Sequence, residues 1–164
     1  MKPPKFSLTK YKDSRIVKLI KKTDHKVLAL WAIDCALRVL PYFKKQFPHD
    51  PRPQNAIITL RKWIRTGVFK MAVIRKASLD AHAAAREVGE DNAARSAARA
   101  AGQAVATAHV RTHSIGPAIY ALQAIFRVTK PEKINAVLIK EQEWQYQHLL
   151  KLIKKSVSKK APKK

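Results

Sequence analysis

Apolar residues recur along this chain every three or four positions, and alternation at period two is scarce, so helices are predicted throughout. A short helix is expected over 13–22. A longer one follows over 27–47, with Thr23 or Asp24 as its cap and Pro48 as its stop. In this second helix Leu28, Leu30, Ile33, Leu37 and Leu40 cover most directions, which predicts a central, buried element. The segment HDPRPQNAI opens a further helix, in which Asp50 can accept from free N–H groups and Pro51 or Pro53 can occupy the first turn. That helix is expected to end at Gly67. The next spans 69–88 and stops at Gly89, because glycine enters the left-handed region without strain. An Ala-rich helix begins after Asp91 as N-cap, is kinked or broken at Gly116-Pro117, and continues through Phe126. Pro131 and Glu132 open a last helix of roughly twenty residues. The expected fold class is all-α: a compact bundle of five to seven helices around a central Ala-rich helix.

The Ala-rich segment carries the most distinctive pattern. If it is one continuous helix, Arg95, Arg99, Gln103, His109 and His113 fall within about 120° of arc. The opposite face holds Ala94, Ala97, Ala98, Ala101, Ala104, Val105 and Ala108, small enough for neighbouring backbones to approach closely.

Length and charge narrow the picture. The 164 residues suit one domain, and 46% hydrophobic residues suffice for a core. A formal charge of +23 favours anionic partners. More than half of the excess lies in 1–23 and 129–164. The expected organisation is a basic arm and short helix over 1–23, a helical core over 24–128, a C-terminal helix packed on it over 129–155, and a disordered basic tail over 156–164. The first twelve residues read as a frayed or docking arm. Cys35 is the only cysteine and lies in an apolar run, so it reads as a buried thiol in a reducing compartment. No apolar run approaches the ~18 residues a membrane span needs and MKPPKFSLTKYK is no signal peptide, so a soluble cytoplasmic protein is expected.

Candidate chemistry is sparse. Asp34, on the apolar helix, is expected to be buried and paired with Arg38 or with an Arg or His of the Ala-rich helix, because a bare buried carboxylate costs several kcal/mol. His109 and His113 at i, i+4 have the spacing of two metal ligands, but no third ligand is evident beyond His82 or a distant carboxylate, so no metal and no other cofactor are expected. His82 and Arg86 repeat the i, i+4 spacing. If the helices before and after Gly89 are antiparallel, His82, Arg86, Arg99, His109 and His113 line one wall, a cationic pocket for carboxylate or phosphate. The alternative is an internal network anchored on Asp34, Asp50 and Asp80. No nucleophile triad or Gly-rich phosphate loop is recognisable. Trp63 and Trp144 sit within helical apolar periodicity and read as packing residues.

The segments WAIDCALRVLPYF, HDPRPQNAI with RKWIRTG, KASLDAHAAARE and AARSAARAAGQAVATAHVRTHSIGPAIYALQA occur in that order. Over about 24–126 they resemble the helical immunity proteins of bacterial polymorphic toxin systems, the immunity-five-like class. The resemblance implies an all-α domain that binds and neutralises a cognate toxin without catalysis. It marks Asp34, Arg52, Trp63, His82, Arg86, Arg99, His109, His113 and Tyr120 as the positions to examine. Inhibitors of basic nuclease toxins are expected to be acidic for electrostatic steering, and this chain is the reverse. Two other readings stand beside it. One is a basic helical protein associated with nucleic acid, its tails supplying affinity and its Arg-rich helix facing phosphate, and the other is an enzyme or ligand-binding protein with an anion pocket on the His/Arg stripe.

Overall fold

The computed structural model describes residues 5–160. They form seven α-helices and two short 3-10 turns, with no strand among the described residues. In chain order these are α1 (Ser14–Lys22), α2 (His25–Gln46), α3 (Arg52–Thr66), α4 (Met71–Glu87), α5 (Ala93–Ala106), a 3-10 turn (Arg111–Ser114), α6 (Ile115–Val128), a second 3-10 turn (Pro131–Lys133) and α7 (Ile134–Lys160).

Local chemistry sets most of the boundaries. Asp24 caps α2 by accepting from the N–H groups of Lys26 and Val27. Asp50 accepts from the Arg52 N–H at 3.0 Å and so closes the open end of α3, with Pro53 in the first turn. Gly67 and Gly89 both take positive φ, 69° and 77°, where the chain leaves α3 and α4. The cap of α5 is Asn92, one residue beyond the expected Asp91. The Asn92 side chain accepts from the Arg95 N–H at 3.1 Å, and this leaves Asp91 to pair with Arg127.

The Ala-rich helix is central, as the pattern implied, and packs against α2, α3, α4 and α6. It is also shorter than the expected run to Gly116. It ends at Ala106, the chain turns through 107–109, and Val110 is extended before the 3-10 turn begins. The break is tertiary in origin. Arg111 reaches across to α1 and donates to the carbonyls of Ile20, at 2.9 Å, and of Thr23, satisfying groups the helix end leaves open. Pro117 then falls in the first turn of α6, where its missing N–H costs little.

Helix α7 closes the other side of α2. The Trp31 indole N–H donates to the Gln145 carbonyl at 2.9 Å, and Gln145 Nε2 donates to the Ala118 carbonyl at 3.0 Å. Leu28, Trp31, Cys35 and Leu149 form the apolar seam between them, joined by Ile16 and Ile20 of α1. The Cys35 thiol is fully buried there, and burial pushes its pKa well up, with Glu141 and Asp34 adding to the shift. Helix α7 runs 27 residues, longer than expected, so Ser156–Lys160 is helical and not a disordered tail. Ser156 and Ser158 donate back to the carbonyls of Ile153 and Lys154. At the other end residues 5–12 dock. Phe6 stacks on Tyr11 and meets Phe126 edge-on, and Gln142 donates to the Tyr11 carbonyl. The expectations for residues 1–4 and 161–164 lie outside the described residues.

Candidate functional site

Five of the nine marked residues meet on one face, built by α4, α5 and α6. The short connection over 88–92 folds α4 back along α5, and a Cβ on Gly102 would lie 2.8 Å from His82 Nε2, so the His82 ring rests directly against the α5 backbone. Arg99 lies one turn before Gly102 on the same side of α5, and antiparallel packing sets it level with Arg86, one turn beyond His82. From α6, Gly116 meets Gln103 and Gln123 accepts from Ser96 at 3.1 Å. That register sets Tyr120 level with Arg99. Gln103 Oε1 lies 2.9 Å from His113 Nδ1, which fastens the 3-10 turn to the strip. Most of the alanines of α5 are buried in the core, and Arg95, Arg99 and Gln103 are the α5 side chains that reach toward this face.

The face is strongly positive. Burial lowers the pKa of His82, and the nearby charges of Arg99, Arg86 and His113 lower it further. Burial likewise lowers that of Arg127; Asp91 opposes this, while Arg95 and Arg99 add to it. Arg95 touches Asp91 only at 3.8 Å, and its Nε is buried without an acceptor among the described residues. At the far end a cavity of about 380 Å³ is lined by Ser78, Gln103, His109 and His113 together with Met71 and Leu79.

His109 and His113 share the cavity but not a helix face, since the chain breaks between Ala106 and Arg111. His109 stacks on Phe69 with ring centres 6.3 Å apart. Among the described residues no three of His, Cys, Asp and Glu gather as a metal would require.

The remaining marked residues lie elsewhere and hold helices together. Asp34 is only half-buried, at 30% side-chain exposure, and its partner is His148 of α7 at 2.7 Å, neither Arg38 nor a residue of α5. Solvent and the α7 imidazole meet its needs, and Arg38 is taken by Glu141 through a bidentate pair with a shortest distance of 2.7 Å. The Arg38 guanidinium also lies over Trp144, whose other neighbour is the stacked His148 ring. Arg52 joins Asp50 to Glu87 and so ties the start of α3 to the end of α4. Trp63 is buried beside His25. The alternative, a network anchored on Asp34, Asp50 and Asp80, does not form, because these acids pair with His148, Arg52 and Lys76 respectively.

One feature was not foreseen from the sequence. Val68, Phe69, Met71, Val73 and Leu79 are between 43% and 61% exposed. They flank two adjoining hollows, the 380 Å³ cavity and another of about 250 Å³, which share Ile74. Exposed Lys62, Arg65, Lys70 and Arg75 surround this apolar platform. The helical period of the segment conceals it, because that period says which residues share a face and not whether a neighbour covers the face. The signal available was the crowding of Val, Phe, Met and Val around Gly67, at a helix start with no polar residue to spare for a cap.

A family model described as Imm-5 like putative immunity protein matches residues 18–152. The match takes in most of α1 and α7, and so reaches beyond the 24–126 that the motifs span. No curated protein and no solved structure matches the chain.

Proposed function

The chain belongs to the Imm-5 like putative immunity protein family, and on that premise we propose that it acts without catalysis, binding a cognate bacterial toxin and neutralising it by covering a surface the toxin needs. The observation that carries this reading is the apolar platform on α4 and the α3–α4 connection. Monomeric surfaces seldom leave large side chains grouped in this way, and an apolar centre with a charged rim is the usual anatomy of a protein interface. The rim is basic, so the surface that fits it is acidic, and the attraction speeds encounter as well as selecting the partner. A toxin face that grips nucleic acid is basic and would be repelled. The matching surface therefore lies away from any such grip, or belongs to a toxin of another chemistry.

The test is co-expression of the chain with candidate toxin domains that present an acidic surface, read as growth rescue and as a co-eluting complex. The double variant Phe69→Ser, Val73→Asp changes exposed positions, so the fold should persist by circular dichroism while rescue and co-elution are lost. Full rescue by that folded variant would remove the platform from the interface.

A further inference from the structure

Beside the platform, the face where α4, α5 and α6 meet presents guanidinium groups that the protein itself does not use. Arg86 and Arg99 form no ion pair and no side-chain hydrogen bond among the described residues. The acids around them are engaged elsewhere: Asp80 by Lys76, Glu87 by Arg52, and Asp91 by Arg127 with Arg95 at longer range. A surplus of basic residues alone would scatter unpaired arginines over the exposed ends of helices. Arg99 is instead half-buried at the helix junction, level with Arg86 and one turn from the His82 ring held against Gly102. One turn further along α5, the buried Arg95 Nε donates to nothing among the described residues, and an unmatched buried donor calls for an acceptor from outside.

We propose that Arg86, Arg99 and His82 form a binding site for a small oxyanion, the group common to a phosphate monoester and a carboxylate. Two guanidinium forks can hold two oxygens of such a group through charge-assisted hydrogen bonds, and the imidazole supplies a further donor. Tyr120, level with Arg99, bounds the site on the α6 side. An anion there neutralises the charge crowded around His82. The groups facing that ring are Arg86 on its own helix, Arg99 from α5 and His113 from the 3-10 turn, all basic. Bound anion therefore offsets the positive field at His82 and moves its titration to higher pH.

The proposal stands apart from the docking reading, because a small ion tests it without any toxin. The His82 ring resonances of the 164-residue chain are followed by NMR while inorganic phosphate, or in a second arm acetate, is added at constant ionic strength. Saturable shifts, with the His82 midpoint rising, are expected in at least one arm, and the arm that saturates at lower concentration identifies the preferred oxyanion. Arg86→Gln, at an exposed position, and Arg99→Gln should each weaken that response about tenfold, as expected when one charge-assisted hydrogen bond is removed. Lys154→Gln on α7 should leave it unchanged. Shifts that rise linearly in both arms, or that survive both arginine substitutions, would mean diffuse screening and overturn the site. Rescue by the platform would be unaffected in that case.

Discussion

Arg38 and Glu141 form a bidentate ion pair across the α2–α7 seam. Glu141 is 4% exposed, so truncating its partner leaves a carboxylate with little water and, among the described residues, the Gln145 amide at 3.3 Å as its remaining side-chain partner. Loss of one partner of a buried pair costs about 3–5 kcal/mol, and because Arg38 itself is reached by solvent, Arg38→Ala should cost about 2 kcal/mol by denaturant titration. Asp34→Ala should cost only about 1 kcal/mol, since solvent reaches both members of its pair with His148. A larger loss for Asp34 than for Arg38 would contradict this assignment. These partners were not legible in the sequence. The motif around Asp34 shows what lies a turn away, but His148 is 114 positions distant, and only the docking of α7 brings it near.

His82 gives a pH dependence of definite sign. Burial and then Arg99, Arg86 and His113 depress its titration in the folded protein, so the unfolded chain takes up the proton first as pH falls. The stability linked to this group is complete above about pH 6.5, the ordinary histidine value, and is lost as the pH falls below it toward the depressed folded value. His82→Gln should accordingly flatten the fall in melting temperature between about pH 7 and 5. An unchanged slope would place His82 in ordinary solvent.

At the scale of elements, the α5–α6 crossing depends on a residue without a side chain. A Cβ at Gly116 would come within 2.8 Å of both Cβ and Cγ of Gln103, atoms too close to the α5 backbone to swing away. Alanine in place of glycine gains up to ~1 kcal/mol of helix propensity, but forced overpacking costs about 1–3 kcal/mol, so Gly116→Ala should destabilise overall. A rise in melting temperature would show that the crossing has slack. The helices themselves were largely legible, because Asp24, Asp50, Gly67 and Gly89 act through local chemistry that composition reveals. The end of α5 was not. The sequence AVATAHV carries no strong helix breaker, and the turn there is imposed by Arg111 reaching for α1.

The whole molecule carries far more positive charge than its acids can match, and part of the excess lies on α1 and α7. Lys18, Lys21 and Lys22 on α1 and Lys151, Lys154, Lys155 and Lys159 on α7 are all exposed. We expect weak binding of nucleic acid, indifferent to sequence. Deleting residues 1–12 would confuse the test, since Phe6 and Tyr11 hold the arm against Phe126. Substituting Lys154, Lys155 and Lys159 by Gln leaves the fold alone, and the slope of log K against log salt should become shallower by about 0.9 for each duplex phosphate that is no longer neutralised. An unchanged slope would place the phosphate-binding lysines on another surface. That His82, Arg86, Arg99 and His113 lie near one another could be read from their helical spacing, whereas what the group binds could not. The apolar platform, which depends on what fails to cover a helix, was not legible.

The burial of Cys35 under α7 has a consequence in time. A thiol that is fully enclosed and held protonated reacts with alkylating reagents only when its cover lifts. Its labelling rate therefore reads how often the seam opens, against the background of every other motion in the protein. If α7 lifts as a unit, the roughly 2 kcal/mol assigned to Arg38 becomes an acceleration of about thirtyfold in Arg38→Ala, while Gly116→Ala, on the far side of α6, quickens labelling only as far as it weakens the whole fold. The lone cysteine serves as a built-in clock for the docking of α7, and it runs fast in any chain in which that helix has yet to settle.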